Sequence, residues 1–255
     1  MTASGQVYWA FFIVNHSTDM ISLPTYTMTI RAMISTSTKH SFRIGKTITS
    51  QSLIHPAVIC PVKRPIDILG AIVGLLLTGV LLLPIAIAIR WDSPGPIFYG
   101  QIRCGYRGKL FRLWKFRSMQ INADAMKPAI ANQASGHIFK NANDPRITRV
   151  GKFLRCTSLD ELPQFWNVLQ GDMSLVGTRP PTPDEAQYYS LRHWSRLEVK
   201  PGMTGEWQVY GRSLVKDFEA IVDLDLRYQQ RWSIGHDIFL LWKTLQVVLN
   251  RQGAC

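Results

Sequence analysis

Acidic residues are scarce in this chain: 17 Asp and Glu stand against 29 Lys and Arg, a net charge of +12 over 255 residues. The imbalance points to anionic partners such as phosphates, lipid headgroups or nucleic acid. Cysteine is rarer still. Cys60, Cys104, Cys156 and Cys255 form no close pair and no Cys-x-x-Cys, so neither a disulfide framework nor a zinc site is indicated and a reducing compartment is the natural setting. The apolar run Tyr8 to Val14 has no positive segment before it and no small-residue cleavage site after it, which leaves export unsupported. Gly45-Lys46-Thr47 lacks the first glycine of a phosphate loop, because His40 stands at that position. Internal repeats and low-complexity tracts are missing as well. With 46% apolar residues, there is enough to bury a core, and disorder throughout is excluded.

Three regions differ in texture. Residues 1–62 are rich in Ser and Thr with little periodicity, and read as a weakly structured extension. From Ile68 to Ile89 no charged residue occurs, with Lys63 and Arg64 before the run and Arg90 after it. Such a length reaches through a hydrocarbon core of about 30 Å. Pro84 and Gly79 predict a break in it, and cations at both ends give no one-sided orientation signal. Residues 63–90 therefore read as a re-entrant helix-break-helix that enters and leaves by the same face; a full span and a buried core helix are the other readings.

Residues 91–255 carry the pattern of a folded domain. Ser93-Pro94-Gly95-Pro96 is a rigid turn, and Ile97 to Gln101 predicts a strand joined by the loop Gly105 to Lys109 to a second strand, Leu110 to Phe116. Helical spacing runs through Phe153, Leu159, Leu162, Phe165, Trp166 and Leu169 and stops at Gly171. Val215 to Trp232 predicts an amphipathic helix. Asp237 to Leu249 predicts another, suited to the membrane interface or to packing on the domain, with Lys243 and Arg251 as headgroup contacts. The class is mainly α with a small β-hairpin, α+β.

Asp160 and Glu161 are adjacent carboxylates that follow Arg155, at the start of a helix with Thr157 or Ser158 as its cap. Neighbours in a helix diverge by about 100°, so the two acids share one site from two sides. The helix dipole and a guanidinium keep such a carboxylate ionised, competent as a nucleophile or metal ligand. Alone, the pair also suits plain helix stabilisation. Its company is more informative: Lys115, Arg117, Arg146, Arg149, Arg155, Arg179 and Arg212 supply cations which, gathered by folding, would clamp a diphosphate. Gly177-Thr178-Arg179-Pro180-Pro181 and Pro201-Gly202-Met203-Thr204-Gly205 read as stiff loops, the second with backbone donors of the kind that cradle phosphate.

These motifs together resemble the monotopic phosphoglycosyl transferases, the bacterial sugar transferases that begin polysaccharide assembly. The similarity extends from about Lys63 to Arg251. In order it comprises Lys63-Arg64 with Asp67, Ser93-Pro94-Gly95-Pro96, Lys115-Phe116-Arg117-Ser118-Met119, Asp144-Pro145-Arg146-Ile147-Thr148, Thr157 to Gln164, and Gly171-Asp172-Met173-Ser174. The resemblance implies a re-entrant membrane helix, a compact cytosolic catalytic domain with interfacial amphipathic helices, and a place on the cytoplasmic face of the bacterial inner membrane. It also implies a magnesium-dependent ping-pong transfer. Asp160 would attack the β-phosphorus of a UDP-sugar, UMP would leave, and a polyprenyl (undecaprenyl) phosphate would take the sugar-phosphate. Glu161 matches the partner carboxylate, and Asp160 and Glu161 would hold the Mg2+ ion. Lys115, Arg155 and Arg179 match basic residues near the phosphates, and Gln208 and Arg212 match a later Gln-x-x-Gly-Arg element.

Three positions depart from the family pattern. Thr178 replaces a proline, Glu206 stands where a tryptophan is usual with Trp207 after it, and Thr78-Gly79 replaces the Ser-Pro pair that breaks the membrane helix in many relatives. The implied product starts an exopolysaccharide or similar glycan with a hexose such as glucose or galactose; a homodimer or contact with downstream glycosyltransferases stays open. The competing class is a catalytically silent, membrane-anchored scaffold, which has no need of both carboxylates beside Arg155. Nucleic acid is not expected as a partner, since no base-reading or stacking motif accompanies the basic charge.

Overall fold

One helix organises the chain. The computed structural model describes residues 54–211, 215 and 217–250; the reading of residues 1–53 as an extension, and the roles given to Arg212 and Arg251, lie outside the described residues. A single turn, α1 (Pro56–Ile59), is capped by the His55 ring, and α2 then runs from Lys63 to Asp92. A hairpin follows, with β1 (Phe98–Cys104) antiparallel to β2 (Leu110–Phe116) and Tyr99 opposite Lys115. Next come α3 (Ala123–Met126), α4 (Arg149–Cys156), a 3-10 turn (Leu159–Glu161), α5 (Gln164–Gln170), β3 (Ser174–Val176), α6 (Pro183–Ala186), α7 (Leu191–Trp194), β4 (Gly202–Thr204), α8 (Glu206–Tyr210), α9 (Phe218–Arg231) and α10 (Ile234–Leu249). The described residues are thus mainly helical with a small antiparallel sheet. Cys60 and Cys104 are free thiols, whereas Cys156 is disulfide-bonded, which the cysteine spacing did not announce.

The interruption expected in the apolar helix is corrected: α2 is continuous through Gly79 and Pro84. Proline forfeits one backbone donor, but the turns on either side are fixed by packing. Ile85 and Ile89 bury against Phe116, Leu154 and Leu162, and Thr78 Oγ1 donates to Gly74 O at 2.7 Å. Buried positions at Lys63, Asp67, Ala71, Gly74, Thr78, Ile85 and Ile89 repeat at helical spacing, so a stripe along the whole of α2 lies on the rest of the unit. Gly74 permits the closest approach, since a Cβ there would meet the Phe165 ring at 2.3 Å. The opposite face exposes Leu69, Val73, Leu76, Val80 and Leu83. Among the described residues α2 is the helix long and apolar enough to cross a membrane.

Both ends of α2 are bonded to the same compact unit, which begins at Ile54. Buried Lys63 donates to Asp237 at 2.5 Å and to Val176 O at 3.1 Å. Arg64 takes the last carbonyls of α5, Val168 O and Leu169 O, at 2.7 Å each, a cation at a helix C-terminus. Asp67 accepts from Ser174 Oγ at 2.9 Å and from Leu175 N at 3.0 Å. At the far end, Asp92 accepts from Val150 N at 2.8 Å, and Arg90 reaches Gly95 O at 2.7 Å. Lys63 and Arg64 are therefore internal fasteners.

Thr148, Asp217 and Ser233 cap α4, α9 and α10 through side chains that accept from backbone N–H groups. On α10, Leu240 and Asp237 are buried while Ile238, Trp242, Leu245 and Leu249 are exposed, so one face packs on the unit and the other stays apolar and open. A pairing with no sequence signature joins β3 to β4 in parallel, with Ser174 opposite Gly202 and Val176 opposite Thr204. Just beyond it, one of the backbone donors expected to cradle phosphate is already used: Gly202 N donates to Thr178 O at 2.9 Å.

Candidate active site

The two carboxylates do not open an ordinary helix. After α4, Ser158 takes a left-handed conformation (φ 58) with no side-chain cap, and Thr157 Oγ1 bonds back to Phe153 O at 2.8 Å. Leu159–Glu161 then forms one 3-10 turn before α5, and the apolar spacing passes unbroken across that reversal. The turn sits on α2, where Leu81 and Leu82 pack with Leu159, Leu162 and Phe165. Asp160 points inward, its side chain 8% exposed, while that of Glu161 is 38% exposed.

Lys115 joins the pair. Its Nζ lies 2.8 Å from Glu161 Oε1 and 3.9 Å from Asp160 Oδ2. β2 holds it there through Asn167 of α5, which accepts from Trp114 N at 3.0 Å and donates to Arg112 O at 2.7 Å. Arg155 approaches from α4, its Nε donating to Ser118 Oγ at 2.9 Å. That contact requires α4 to lie directly on the Ser118 backbone, and Gly151 allows it: a Cβ there would fall 1.9 Å from Ser118 O. Each residue of Lys115 to Met119 thus has a distinct task. Lys115 faces the carboxylates, Phe116 fills the core, Arg117 holds Ser93 O and Pro94 O, Ser118 receives Arg155, and Met119 bridges to Ile147.

Burial decides the charge state of Asp160. It pushes the carboxyl up to about 6; Lys115 opposes the shift, Glu161 adds to it, and Arg155 opposes it. The sequence reading expects a helix terminus and a guanidinium to keep the acid ionised; the buried 3-10 turn pulls the other way, because desolvation outweighs both cations. At neutral pH the group is still largely ionised, and close enough to its titration to exchange protons.

Not every expected cation reaches the site. Arg146 is occupied by Asp144 at 2.6 Å and by Ala123 O at 3.0 Å, and Arg117 by the Ser93–Pro94 turn; both are structural. Arg179 stands apart from Lys115, 4.0 Å from Glu185 and with its guanidinium 5.2 Å from the centre of the Trp207 ring. Gln208, next to that tryptophan, turns its Oε1 into the interior with no hydrogen-bond partner. The departure at Glu206 has a local explanation: the carboxylate is buried between Arg227 and His236.

Sequence reasoning missed the contribution of β1. Tyr99, Gln101 and Arg103 alternate along the strand and share the face of Lys115, which lies opposite Tyr99. Tyr99 Oη donates to Asp124 at 3.0 Å, and burial together with that carboxylate pushes the phenol up to about 12. Three polar side chains at alternate positions, on a face whose neighbours on β2 include Phe111 and Leu113, were the available signal.

The donor set at Asp160 and Glu161 is hard oxygen. Among the described residues no group of three or more His, Cys, Asp or Glu converges, which excludes a closed, all-protein metal cage there. Two adjacent carboxylates fit magnesium, which commonly takes one or two protein carboxylates and completes its shell with substrate phosphate and water.

Comparison with known proteins follows the same residues. The model of a family described as bacterial sugar transferase matches residues 59–251. A galactosyl transferase, CpsE, of Streptococcus agalactiae is 51% identical over 194 residues, which is 75% of this chain and 43% of that protein. An undecaprenyl-phosphate galactose phosphotransferase of Salmonella typhimurium is 46% identical over 198 residues, 75% of this chain and 41% of its own length. A UDP-glucose:undecaprenyl-phosphate glucose-1-phosphate transferase of Escherichia coli is 42% identical over 194 residues, covering 72% and 39%. The chain therefore spans about two fifths of the length of these relatives.

Proposed function

Because this chain belongs to the bacterial sugar transferase family, we propose that it transfers a hexose-1-phosphate from a UDP-sugar to polyprenyl phosphate, releases UMP and so initiates a glycan. The observation that carries the reading is a buried carboxylate, Asp160, held among Lys115, Glu161 and Arg155. Galactose, glucose and undecaprenyl phosphate in the names of the relatives support the hexose and the lipid.

In the first step an Asp160 oxygen bonds to the β-phosphorus while the bond from that phosphorus to the bridging oxygen breaks, and UMP leaves with the electron pair. In the second, a lipid phosphate oxygen attacks the same phosphorus, and the aspartyl bond breaks to restore the carboxylate. Covalent catalysis of this kind divides one hard displacement into two easier ones. Lys115 offsets charge on the transferring phosphoryl group and keeps Glu161 beside the nucleophile. Burial strips water from the carboxylate, so no hydration shell blocks attack. Asp160 and Glu161 would hold a magnesium ion, which when bound supplies positive charge against the repulsion between carboxylate and diphosphate.

Protein in detergent or nanodiscs, given a panel of UDP-sugars, undecaprenyl phosphate and magnesium, should release UMP; a silent scaffold would release none. Asp160→Asn should abolish release and leave no sugar-phosphate adduct detectable by mass spectrometry. Turnover in that variant close to wild type would refute the assignment of the nucleophile.

The same reading puts the chain at the cytoplasmic face of the bacterial inner membrane, with α2 bathed in lipid on its outer face only. As a helix α2 is about 45 Å long at 1.5 Å per residue, more than a core of about 30 Å requires. Its two ends are bonded to one compact unit, through Lys63 and Asp67 on one side and Asp92 on the other. A crossing would drag that unit's polar surface into hydrocarbon, which is costly; an unbroken α2 that lies along one face, with both ends on the same side, avoids this. The open stripe of α10, tied to α2 by Lys63 and Asp237, extends the apolar surface. Cysteines placed at Val62 and Trp91, after removal of the native ones, should label from the same side of the membrane, and labelling from opposite sides would replace this topology with a full span.

A further inference from the structure

β2 has two edges, and a strand meets one of them. There β1 pairs with it from end to end, with Tyr99 opposite Lys115. Along the other edge no third strand lies among the described residues. The side chain of Asn167 meets the backbone there instead: its Oδ1 accepts from Trp114 N at 3.0 Å and its Nδ2 donates to Arg112 O at 2.7 Å. A carbonyl and an N–H two residues apart are what a neighbouring strand would bond. Asn167 is fully buried, and an amide alone among short side chains offers a donor and an acceptor side by side; aspartate lacks the donor, leucine both.

The main chain of the same residue is bonded as well. Asn167 O accepts from Gly171 N at 3.1 Å and from Met173 N at 3.3 Å, and the next two carbonyls, Val168 O and Leu169 O, are held by Arg64 of α2. Between the 3-10 turn of Asp160 and Glu161 and the start of α5 stand only Leu162 and Pro163, both in helical conformation. Asn167 therefore fastens the segment that carries the carboxylates to the strand that carries Lys115, one residue from the lysine. Strand side chains alternate between faces, so a slip of β2 by one residue would turn Lys115 away. Lysine is a point charge on a flexible stem; its reach of 2.8 Å to Glu161 and 3.9 Å to Asp160 depends on where that stem begins. From this double bond to the strand edge, we propose that Asn167 is a positioning residue for the transfer: its amide stands in for a strand, locks β2 to α5, and keeps the Lys115 ammonium where charge develops on the transferring phosphoryl group. The inference rests on the transfer reading above, and Asn167 acts through Lys115, not by contact with substrate.

A side chain that only satisfied a buried strand edge would affect folding without acting through Lys115, and a double-mutant cycle tells the two apart. UMP release is measured for wild type, Asn167→Leu, Lys115→Met and the double variant, each well below its melting temperature. In the wild-type background Asn167→Leu should lower turnover by about 10- to 100-fold, as the loss of a charge-assisted contact does, with the fall in kcat rather than a rise in KM. In the Lys115→Met background the same replacement should cost nothing further. Equal losses in both backgrounds, or no loss in either, overturn the inference. Asn167→Ser carries the same comparison if the leucine variant does not fold. A second readout needs no turnover: reductive methylation followed by mass spectrometry should modify Lys115 several-fold faster in the Asn167 variants, while exposed Lys152 reacts as before. An unchanged rate at Lys115 also overturns the inference. Wild-type protein that releases no UMP would sink the transfer reading instead, and the methylation rates then decide alone whether Asn167 places Lys115.

Discussion

Replacing Asp160 by asparagine should separate stability from function, because the folded protein holds this carboxyl at a cost. Its pKa rises from 3.8 to about 6 on folding, and each unit corresponds to about 1.4 kcal/mol. The ionised side chain therefore costs the fold up to about 3 kcal/mol, and sharing of the titration with Glu161 and Lys115 brings the expected figure to about 1–3 kcal/mol. The direction follows from linkage. An acid whose folded pKa is raised binds its proton more tightly in the native state, so its stabilising share is present below the unfolded value of 3.8 and is lost as pH rises through about 6. Asparagine never ionises and escapes the loss, and Lys115 keeps Glu161 as its partner at 2.8 Å. At pH 8 the Asp160→Asn variant should melt about 2–8 °C above wild type, and the gain should shrink steadily between pH 6 and pH 4. Thermal melts of both proteins across that range, in one detergent, decide the matter. A variant no more stable at pH 8, or a gain that persists at pH 4, would refute the claim that burial dominates at Asp160.

Two further substitutions probe the supports of the site. Lys115→Met removes the largest influence that lowers the Asp160 pKa, so the acid limb of the kcat/KM profile should move upward in pH from about 6; a limb that stays or moves to lower pH would contradict the ion pairing. Gly151→Ala forces a methyl group to within 1.9 Å of Ser118 O, where backbone meets backbone, so α4 must shift. A stability loss of about 1–3 kcal/mol is expected, with a fall in kcat/KM as Arg155 leaves Ser118, and unchanged values for both would mean that the contact is not needed.

Elements with strong periodicity were legible before the structure. The hairpin announced itself by two β-rich runs about the loop Gly105 to Lys109, and α9 and α10 by their apolar stripes. Both carboxylates and Lys115 were legible through the motifs around them, and they do converge. What stayed hidden depends on residues distant in sequence. β3 and β4 are three residues each, too short to alternate, and their pairing exists because Asp67 holds Ser174 and Leu175 from α2. The reversal at Ser158 was masked because Leu159, Leu162 and Phe165 keep helical spacing while all three pack on α2. The expected break at Pro84 failed for the same reason: local propensity argued for it, and tertiary packing on both flanking turns outweighed a single missing donor.

These misreadings share a cause, which bears on how the site works. α2 is at once the most apolar segment of the chain and, with β2 and α4, part of the cluster that packs the turn of Asp160, through Leu81, Leu82, Ile85 and Ile89. Burial of that turn is what raises the pKa of Asp160, the proposed nucleophile. A helix that packed less closely would admit water beside Asp160, lower its pKa toward 3.8 and hydrate the carboxylate. The ion would then be more abundant at pH 6 yet slower to attack, since water would have to leave first. On the proposed function, packing the turn of Asp160 beside the segment with the greatest apolar surface would couple the anchoring of the protein to the dryness of its chemistry.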